Sequence, residues 1–127
     1  FGFYCGKGEW FLLTLKNIDI MSQMLPNVSK ASQSLDVSVL HTLILEKIFG
    51  IDKENMAKQI NLTYTKFFTE AIDGVDKGEF QCSFVLNPTR VTEIRDVAAA
   101  GEKMPQKSTY FYPKMITGMV MNNLGVD

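Results

Sequence analysis

The residues best suited to chemistry lie in one late segment, MPQKSTYFYPKMITG, which spans residues 104–118. Its candidate ligand-binding side chains are Lys107, Ser108, Thr109, Tyr110, Tyr112 and Lys114. Alternate side chains of a strand share a face, so the face from Ser108 to Lys114 would carry hydroxyl donors and end in a cation. Such a row suits a phosphate or a carboxylate. The alternative is an ordinary solvent-facing strand, because Tyr and Thr favour strands in general.

A second candidate for anion binding is the sequence NPTR, residues 87–90, at the start of a predicted helix. The first turn of a helix presents free N–H groups and the positive end of the helix dipole, and Arg90 would add a cation there. Between residues 90 and 114, five basic residues stand against three acidic ones, which mildly favours an anion. The alternative is that Asn-Pro-Thr simply caps the helix.

The chain contains one histidine, His41, on the apolar face of a predicted helix. A buried imidazole must find a hydrogen-bond partner or stay neutral. His41 is therefore a weak candidate for a general acid or base that faces a cleft. The structural alternative, a packed histidine bonded to a carbonyl or a tyrosine hydroxyl, is favoured because lone buried histidines usually have such a role.

Several well-known chemistries have no sequence support. The nine glycines are scattered, with no phosphate-binding loop, and neither a nucleophile elbow nor a Ca²⁺ loop is present. One histidine excludes a multi-histidine metal site, so no metal ligands are predicted. Cys5 and Cys82 are too few and too far apart for a disulfide scaffold or a zinc site, and they are predicted to be buried free thiols. Free thiols fit a cytoplasmic protein.

Length and composition predict a single domain over residues 1–127, with 46% apolar and 21% charged residues. The net charge of -1 makes nucleic acid an unfavoured partner. No apolar run approaches the roughly 18 residues of a membrane span, so no membrane partner is predicted. The chain opens directly on strand-forming residues from Phe1, which predicts the C-terminal fragment of a longer protein. A missing N-terminal region would then be one packing partner.

The elements that must position these residues follow from local patterns. FGFYC and EWFLLTL flank GKG and predict a leading β-hairpin. KNIDIMSQM predicts a short helix, followed by a mobile loop after Pro26. DVSVLHTLILEKIFG predicts a largely buried helix with Asp36 as N-cap, Gly50 beyond its end, and a narrow polar arc opposite the apolar face. That arc comprises Ser38, Thr42 and Glu46, and the buried face includes Val37, Leu40, Ile44, Leu45 and Ile48.

Later elements alternate between helix and strand. The pattern predicts helices at DKENMAKQ and KFFTEAIDGVDKG, strands at INLTYT and EFQCSFVLN, and a helix at NPTRVTEIRDVAAAG. The last of these would have Asn87 as its cap, Pro88 at its first position and Gly101 as its stop. The strand of residues 104–118 is expected to resume at ITGMVMN. The order predicts an α+β fold, with helices packed on a single mixed, largely antiparallel sheet.

Two stretches carry a family resemblance, SLDVSVLHTLILEKIFGI and FVLNPTRVTEIRDVAAAGEKMPQKSTYFYPKMITGMV. They closely resemble the C-terminal portion of the bacterial and archaeal family "domain of unknown function 1015", and the likeness extends over essentially the whole chain. The resemblance implies a longer parent protein, a cytoplasmic location and a role near serine and phosphoserine synthesis. It supplies no catalytic residues to carry over. Met115, Met119 and Met121 depart from the leucine and valine expected there.

Two functional hypotheses follow. The first is a binding or catalytic domain for a small phosphorylated or carboxylated metabolite, with anion contacts from residues 107–114 and Arg90. The second is a non-catalytic C-terminal module that packs against the rest of a larger protein or forms a dimer. The sequence leaves the cofactor, the substrate and the oligomeric state open.

Overall fold

The structure is a computed structural model that describes residues 1–112. It contains a three-stranded antiparallel sheet in the order β2-β1-β3, formed by β1 (Gly2–Tyr4), β2 (Trp10–Leu12) and β3 (Ser83–Val85). The helices are α1 (Asp19–Met24), α2 (Lys30–Gln33), α3 (Asp36–Val39), a π-helix (Leu40–Glu46), α4 (Lys53–Lys58), α5 (Phe68–Asp76) and α6 (Val91–Ala99). The predicted α+β class is confirmed. The predicted strand at ITGMVMN and the candidate Lys114 lie outside the described residues.

The leading hairpin forms where the sequence predicts it. In the turn between β1 and β2, Gly6 and Gly8 have φ angles of 92° and 77°, a region that glycine enters without steric cost. Lys7 lies between them at a φ of 56°. The strands then pair in register, with Phe3 opposite Phe11. β1 is the central strand of the sheet, because it pairs with β2 on one side and with β3 on the other.

The long predicted helix is real, but its geometry changes part-way along. α3 begins at Asp36, with Leu35 rather than Asp36 as N-cap, and continues directly into the π-helix. A π-helix turns by less than 100° per residue, so residues beyond Leu40 no longer follow the α-helical wheel. Val37, Leu40 and Leu45 are buried as predicted.

The predicted polar arc of this helix is wrong at two of its three positions. Ser38 and Thr42 are buried, at 7% exposure each, whereas Ile48, predicted on the buried face, is 69% exposed. The change of helical pitch accounts for the displacement of Ile48. In addition, α2 lies in the segment predicted as a loop, because the Ser29 hydroxyl caps it by accepting from the Ser32 N–H at 3.2 Å.

Two predicted strands are absent from the described residues. INLTYT forms no ladder. Leu62 and Tyr64 are half-buried between exposed neighbours, but Ile60, which the alternation places on the same side, is 65% exposed. Residues 107–112 are likewise not a strand. The Ser108 N–H donates to the Pro105 carbonyl at 3.3 Å, and Lys107 adopts a φ of 60°, so the chain turns here instead of extending.

The predicted start of the last helix is also wrong. Asn87 and Pro88 precede the helix in extended chain, and Arg90 is the N-cap of α6. The Glu93 carboxylate accepts from the Arg90 N–H at 2.7 Å, which closes the first turn at this point. The predicted ends of α5 and α6 agree with Gly78 and Gly101, whose φ angles are 76° and 74°.

Among the described residues, the core includes two small apolar clusters. One contains Leu35, Val37 and Val97, and the other contains Leu40, Leu45 and Met56. The cysteines are free, as predicted, but they are not buried: Cys5 is exposed and Cys82 is half-buried, because both lie at strand ends beside turns. No helix within residues 1–112 is long and apolar enough to cross a bilayer.

Candidate anion-binding cleft

An open cleft of about 1720 Å³ is formed by several segments of the described chain. We call its lining by β3 and α5 the floor. Residues at the start of the π-helix and in the segments 61–67, 87–90 and 107–110 complete the lining. The cleft exceeds the roughly 300–1,000 Å³ of ordinary small-molecule sites, so a small ligand would occupy one part of it.

The cleft brings together most of the side chains singled out from the sequence. Lys107, Ser108, Thr109, Tyr110, Arg90 and His41 all line it. Tyr112 does not line it and is 84% exposed. Residues distant in sequence thus meet in one concavity, although the strand predicted to align them is replaced by a turn.

The turn segment is held to the chain in front of α6. The Ser108 hydroxyl donates to the Pro105 carbonyl at 2.6 Å, and the Thr89 hydroxyl donates to the Ser108 carbonyl at 2.8 Å. Ser108 therefore uses its hydroxyl to stabilise the turn. These bonds fix the backbone that carries Lys107 and Tyr110.

Lys66 is a basic residue of the cleft that sequence reasoning missed. Its ammonium donates to the Tyr110 hydroxyl at 2.9 Å and lies 4.2 Å from the centre of the Tyr110 ring. It also lies 4.9 Å from the centre of the Phe67 ring. The attraction between a cation and a ring face orients this side chain. No local pattern could have indicated the contact, since 44 residues separate the partners.

Arg90 contributes through its side chain rather than through the helix terminus. Its guanidinium lies 3.2 Å from Glu93 Oε1, and Glu93 Oε2 accepts from the Arg90 N–H. The Glu93 carboxylate thus occupies the place that an anion would take at the start of α6. The Arg90 side chain remains 78% exposed and can reach a ligand.

His41 is half-buried and lines the cleft. Burial lowers the pKa of its imidazole below the usual 6.5, which keeps the ring neutral at pH 7. The Tyr64 ring lies edge-to-face with it at 6.3 Å, and no hydrogen bond joins the imidazole to residues 1–112. A neutral imidazole of this kind is able to accept a proton.

The charge of the cleft is divided. Four basic side chains line it: Lys66, Lys77, Arg90 and Lys107. Five acidic side chains do so as well: Asp36, Glu70, Asp73, Glu79 and Glu93. Three of the acids have hydrogen-bond partners in Asn87, Thr65 and Arg90. The cleft as a whole therefore has no excess of positive charge. We use the name corner for Lys66, for Tyr110, which it contacts, and for Lys107, three residues before Tyr110 in the chain.

Among residues 1–112, no group of three or more His, Cys, Asp or Glu side chains is arranged to hold a metal ion. Comparisons of the chain with protein-family models, curated proteins and solved structures find no match.

Proposed function

We propose that the cleft binds a small phosphorylated or carboxylated metabolite at the corner formed by Lys66, Lys107 and Tyr110. The observation that carries this proposal is the contact of Lys66 with Tyr110 in a cleft that Lys107 and Arg90 also line. Ammonium groups and a phenol hydroxyl are suitable partners for phosphate or carboxylate oxygens. Side chains that the sequence marks as suited to an anion line this concave surface, which supports the proposal.

The contacts of Lys66 support an anion over a neutral ligand. Its ammonium lies against two aromatic rings, so part of its hydration is replaced by ring faces. A bound carboxylate or phosphate would add an ionic partner to this cation. Charge-assisted hydrogen bonds are roughly twice as strong as neutral ones.

Within this proposal, His41 is the candidate acid or base of any reaction in the cleft. The resemblance to the "domain of unknown function 1015" family adds phosphoserine and serine to the ligands to be tested. A cytoplasmic location and a longer parent protein belong to the same proposal.

Calorimetric titration with phosphoserine, serine and inorganic phosphate tests the site. We expect phosphoserine to bind and Lys66→Ala and Lys107→Ala each to weaken binding at least tenfold, because each removes a charge-assisted contact. Lys16→Ala is the matched control, since Lys16 is exposed and does not line the cleft. The proposal is refuted if none of the three ligands binds the wild-type chain. It is also refuted if Lys16→Ala and Lys66→Ala change the affinity equally.

A second candidate function, a packing or dimerisation module, is favoured by a different surface. Trp10 stacks on Phe68, with ring centres 5.8 Å apart and planes 9° apart, yet both remain largely exposed, at 44% and 58%. Leu12, two residues along β2, is 82% exposed. We call these three residues the aromatic patch. A contiguous apolar surface of this kind is typical of an interaction site.

Sedimentation velocity tests the dimer version of this second function. If the patch forms a dimer, the wild-type chain sediments as a dimer and Leu12→Asp as a monomer. If the patch instead packs against a missing N-terminal region, the isolated chain is a monomer and the longer protein protects Trp10 from fluorescence quenchers. A monomer with an equally quenched Trp10 in both forms would exclude both versions.

A further inference from the structure

The pairing of β1 with β3 brings the two cysteines of the chain face to face. The register pairs are Gly2 with Val85, Phe3 with Phe84 and Tyr4 with Ser83. One residue further along the same register, Cys5 stands opposite Cys82. The two cysteines are 77 positions apart in the sequence, so the sheet alone accounts for their meeting.

The geometry of this position is that of a non-hydrogen-bonded pair. The Cys5 N–H donates to the Glu9 carbonyl at 3.3 Å, on the β2 side, and therefore points away from β3. Directly opposed residues at such positions have Cα atoms about 4.5 Å apart. That separation falls within the roughly 4.4–6.8 Å that a disulfide requires.

The neighbouring pair indicates that side chains on this face do meet. Phe3 and Phe84 occupy the preceding non-hydrogen-bonded position, and their rings stack with centres 5.0 Å apart. Cys5 and Cys82 follow two residues along and share that face, because strand side chains alternate. Burial raises the pKa of the Cys82 thiol, and the charge of a Cys5 thiolate raises it further, in agreement with this placement.

We propose that Cys5 and Cys82 form a redox-sensitive pair that closes into an intrachain disulfide. Cys5 is exposed and Cys82 is half-buried, so Cys5 is the thiol that meets an oxidant from solution. Cys82 also lines the cleft. The bond would tie the leading hairpin to β3, and it does not depend on the cleft binding anything.

The oxidant is a low-molecular-weight disulfide such as oxidised glutathione. The Cys5 thiolate attacks one of its sulfurs, forms a mixed disulfide and expels one small thiolate, which takes up a proton. The Cys82 thiolate then attacks the sulfur of Cys5 in that mixed disulfide and expels the second small thiolate. Two protein thiols are thereby oxidised, and one small disulfide is reduced to two small thiols.

Incubation of the folded chain in oxidised glutathione, followed by intact-mass measurement and peptide mapping, tests the pair. We expect a monomer that has lost two hydrogens and carries one cross-linked peptide joining Cys5 to Cys82. In Cys82→Ser, the mixed disulfide at Cys5 should accumulate instead, because no second thiol is present to displace glutathione.

The matched control moves one thiol by a single residue. In Cys82→Ser combined with Ser83→Cys, the new thiol lies within β3 on the face opposite to that of Phe84, so we expect a glutathione adduct at Cys5 and no internal cross-link. The proposal is overturned if the wild-type chain ends as glutathione adducts or with both thiols free. It is also overturned if the shifted pair cross-links as readily as the natural pair.

Discussion

The contact between Gly74 and Phe80 gives the sharpest test of the cleft floor. Gly74 is a buried residue of α5, and a Cβ atom added to it would lie 2.6 Å from Phe80 Cδ2 and 2.8 Å from Phe80 Cε2. The backbone of Phe80 cannot easily withdraw, since its N–H donates to the Gly74 carbonyl at 3.1 Å. In Gly74→Ala the Phe80 ring must therefore rotate away from the helix.

Two opposing effects set the change in the free energy of unfolding of Gly74→Ala. Alanine is favoured over glycine inside a helix by about 1 kcal/mol. Overpacking of a close contact costs roughly 1–3 kcal/mol. We expect the overpacking to prevail and the free energy of unfolding of Gly74→Ala to fall by about 1 kcal/mol. Urea denaturation followed by the fluorescence of Trp10 and by circular dichroism measures this change.

A double-mutant cycle decides whether the ring is the cause. In the Phe80→Ala background the obstacle is gone, so Gly74→Ala should stabilise the chain by about 1 kcal/mol, the helix preference alone. The substitution thus changes sign between the two backgrounds. If Gly74→Ala stabilises both backgrounds equally, Phe80 does not pack on Gly74 and the cleft floor is arranged differently.

Three further outcomes follow from burial and charge. Leu45→Ala should lower the free energy of unfolding by about 3 kcal/mol, whereas Ile48→Ala, at an exposed position of the same segment, should change it by less than about 0.5 kcal/mol in urea denaturation. An NMR titration should give His41 a pKa below 6.5. Because the unfolded state then binds the proton more readily than the folded state, the free energy of unfolding should fall as the pH falls through 6.5. His41→Phe should remove this pH dependence. Hydrogen bonds from Ser32 and Ser29 lower the pKa of Glu102. The ionised carboxylate therefore stabilises the fold above the ordinary pKa of 4.5, and this stabilisation is lost as the pH falls through the lower folded pKa. In Glu102→Gln the free energy of unfolding should depend less steeply on pH in this range, and an equally steep dependence would contradict the role of these bonds.

The features that the sequence predicts well depend on local physics. Gly6 and Gly8 specify the hairpin turn, and Gly78 and Gly101 end α5 and α6, because left-handed backbone favours glycine wherever it occurs. These features need no knowledge of distant residues. The same holds for α4, where Asp52 accepts from the Asn55 N–H at 2.8 Å and caps the helix.

The features that the sequence misses depend on partners or on cooperative geometry. INLTYT keeps its alternation only at Leu62 and Tyr64. It has no neighbouring strand in the described chain, and a pattern alone does not supply one. The π-helix arises within an ordinary helical pattern, so the α-helical wheel misplaces Thr42 within it and Ile48 after it. The contact of Lys66 with Tyr110 and the opposition of the cysteines come from chain segments that meet only after folding.

The two proposed functions require partners of different chemistry, one at the corner of Lys66 and one on the aromatic patch. An apolar partner placed over Lys66 would remove water from a cation without replacing it, which costs several kcal/mol unless an opposite charge is supplied. Under the proposed function, the ligand at the corner of Lys66 and Tyr110 supplies that opposite charge. The stack of Trp10 on Phe68 is stabilised by apolar cover instead, since burial of exposed aromatic area is favourable. An anion in the cleft and an apolar partner on the aromatic patch are thus compatible, and Lys66→Ala and Leu12→Asp should each impair one without the other.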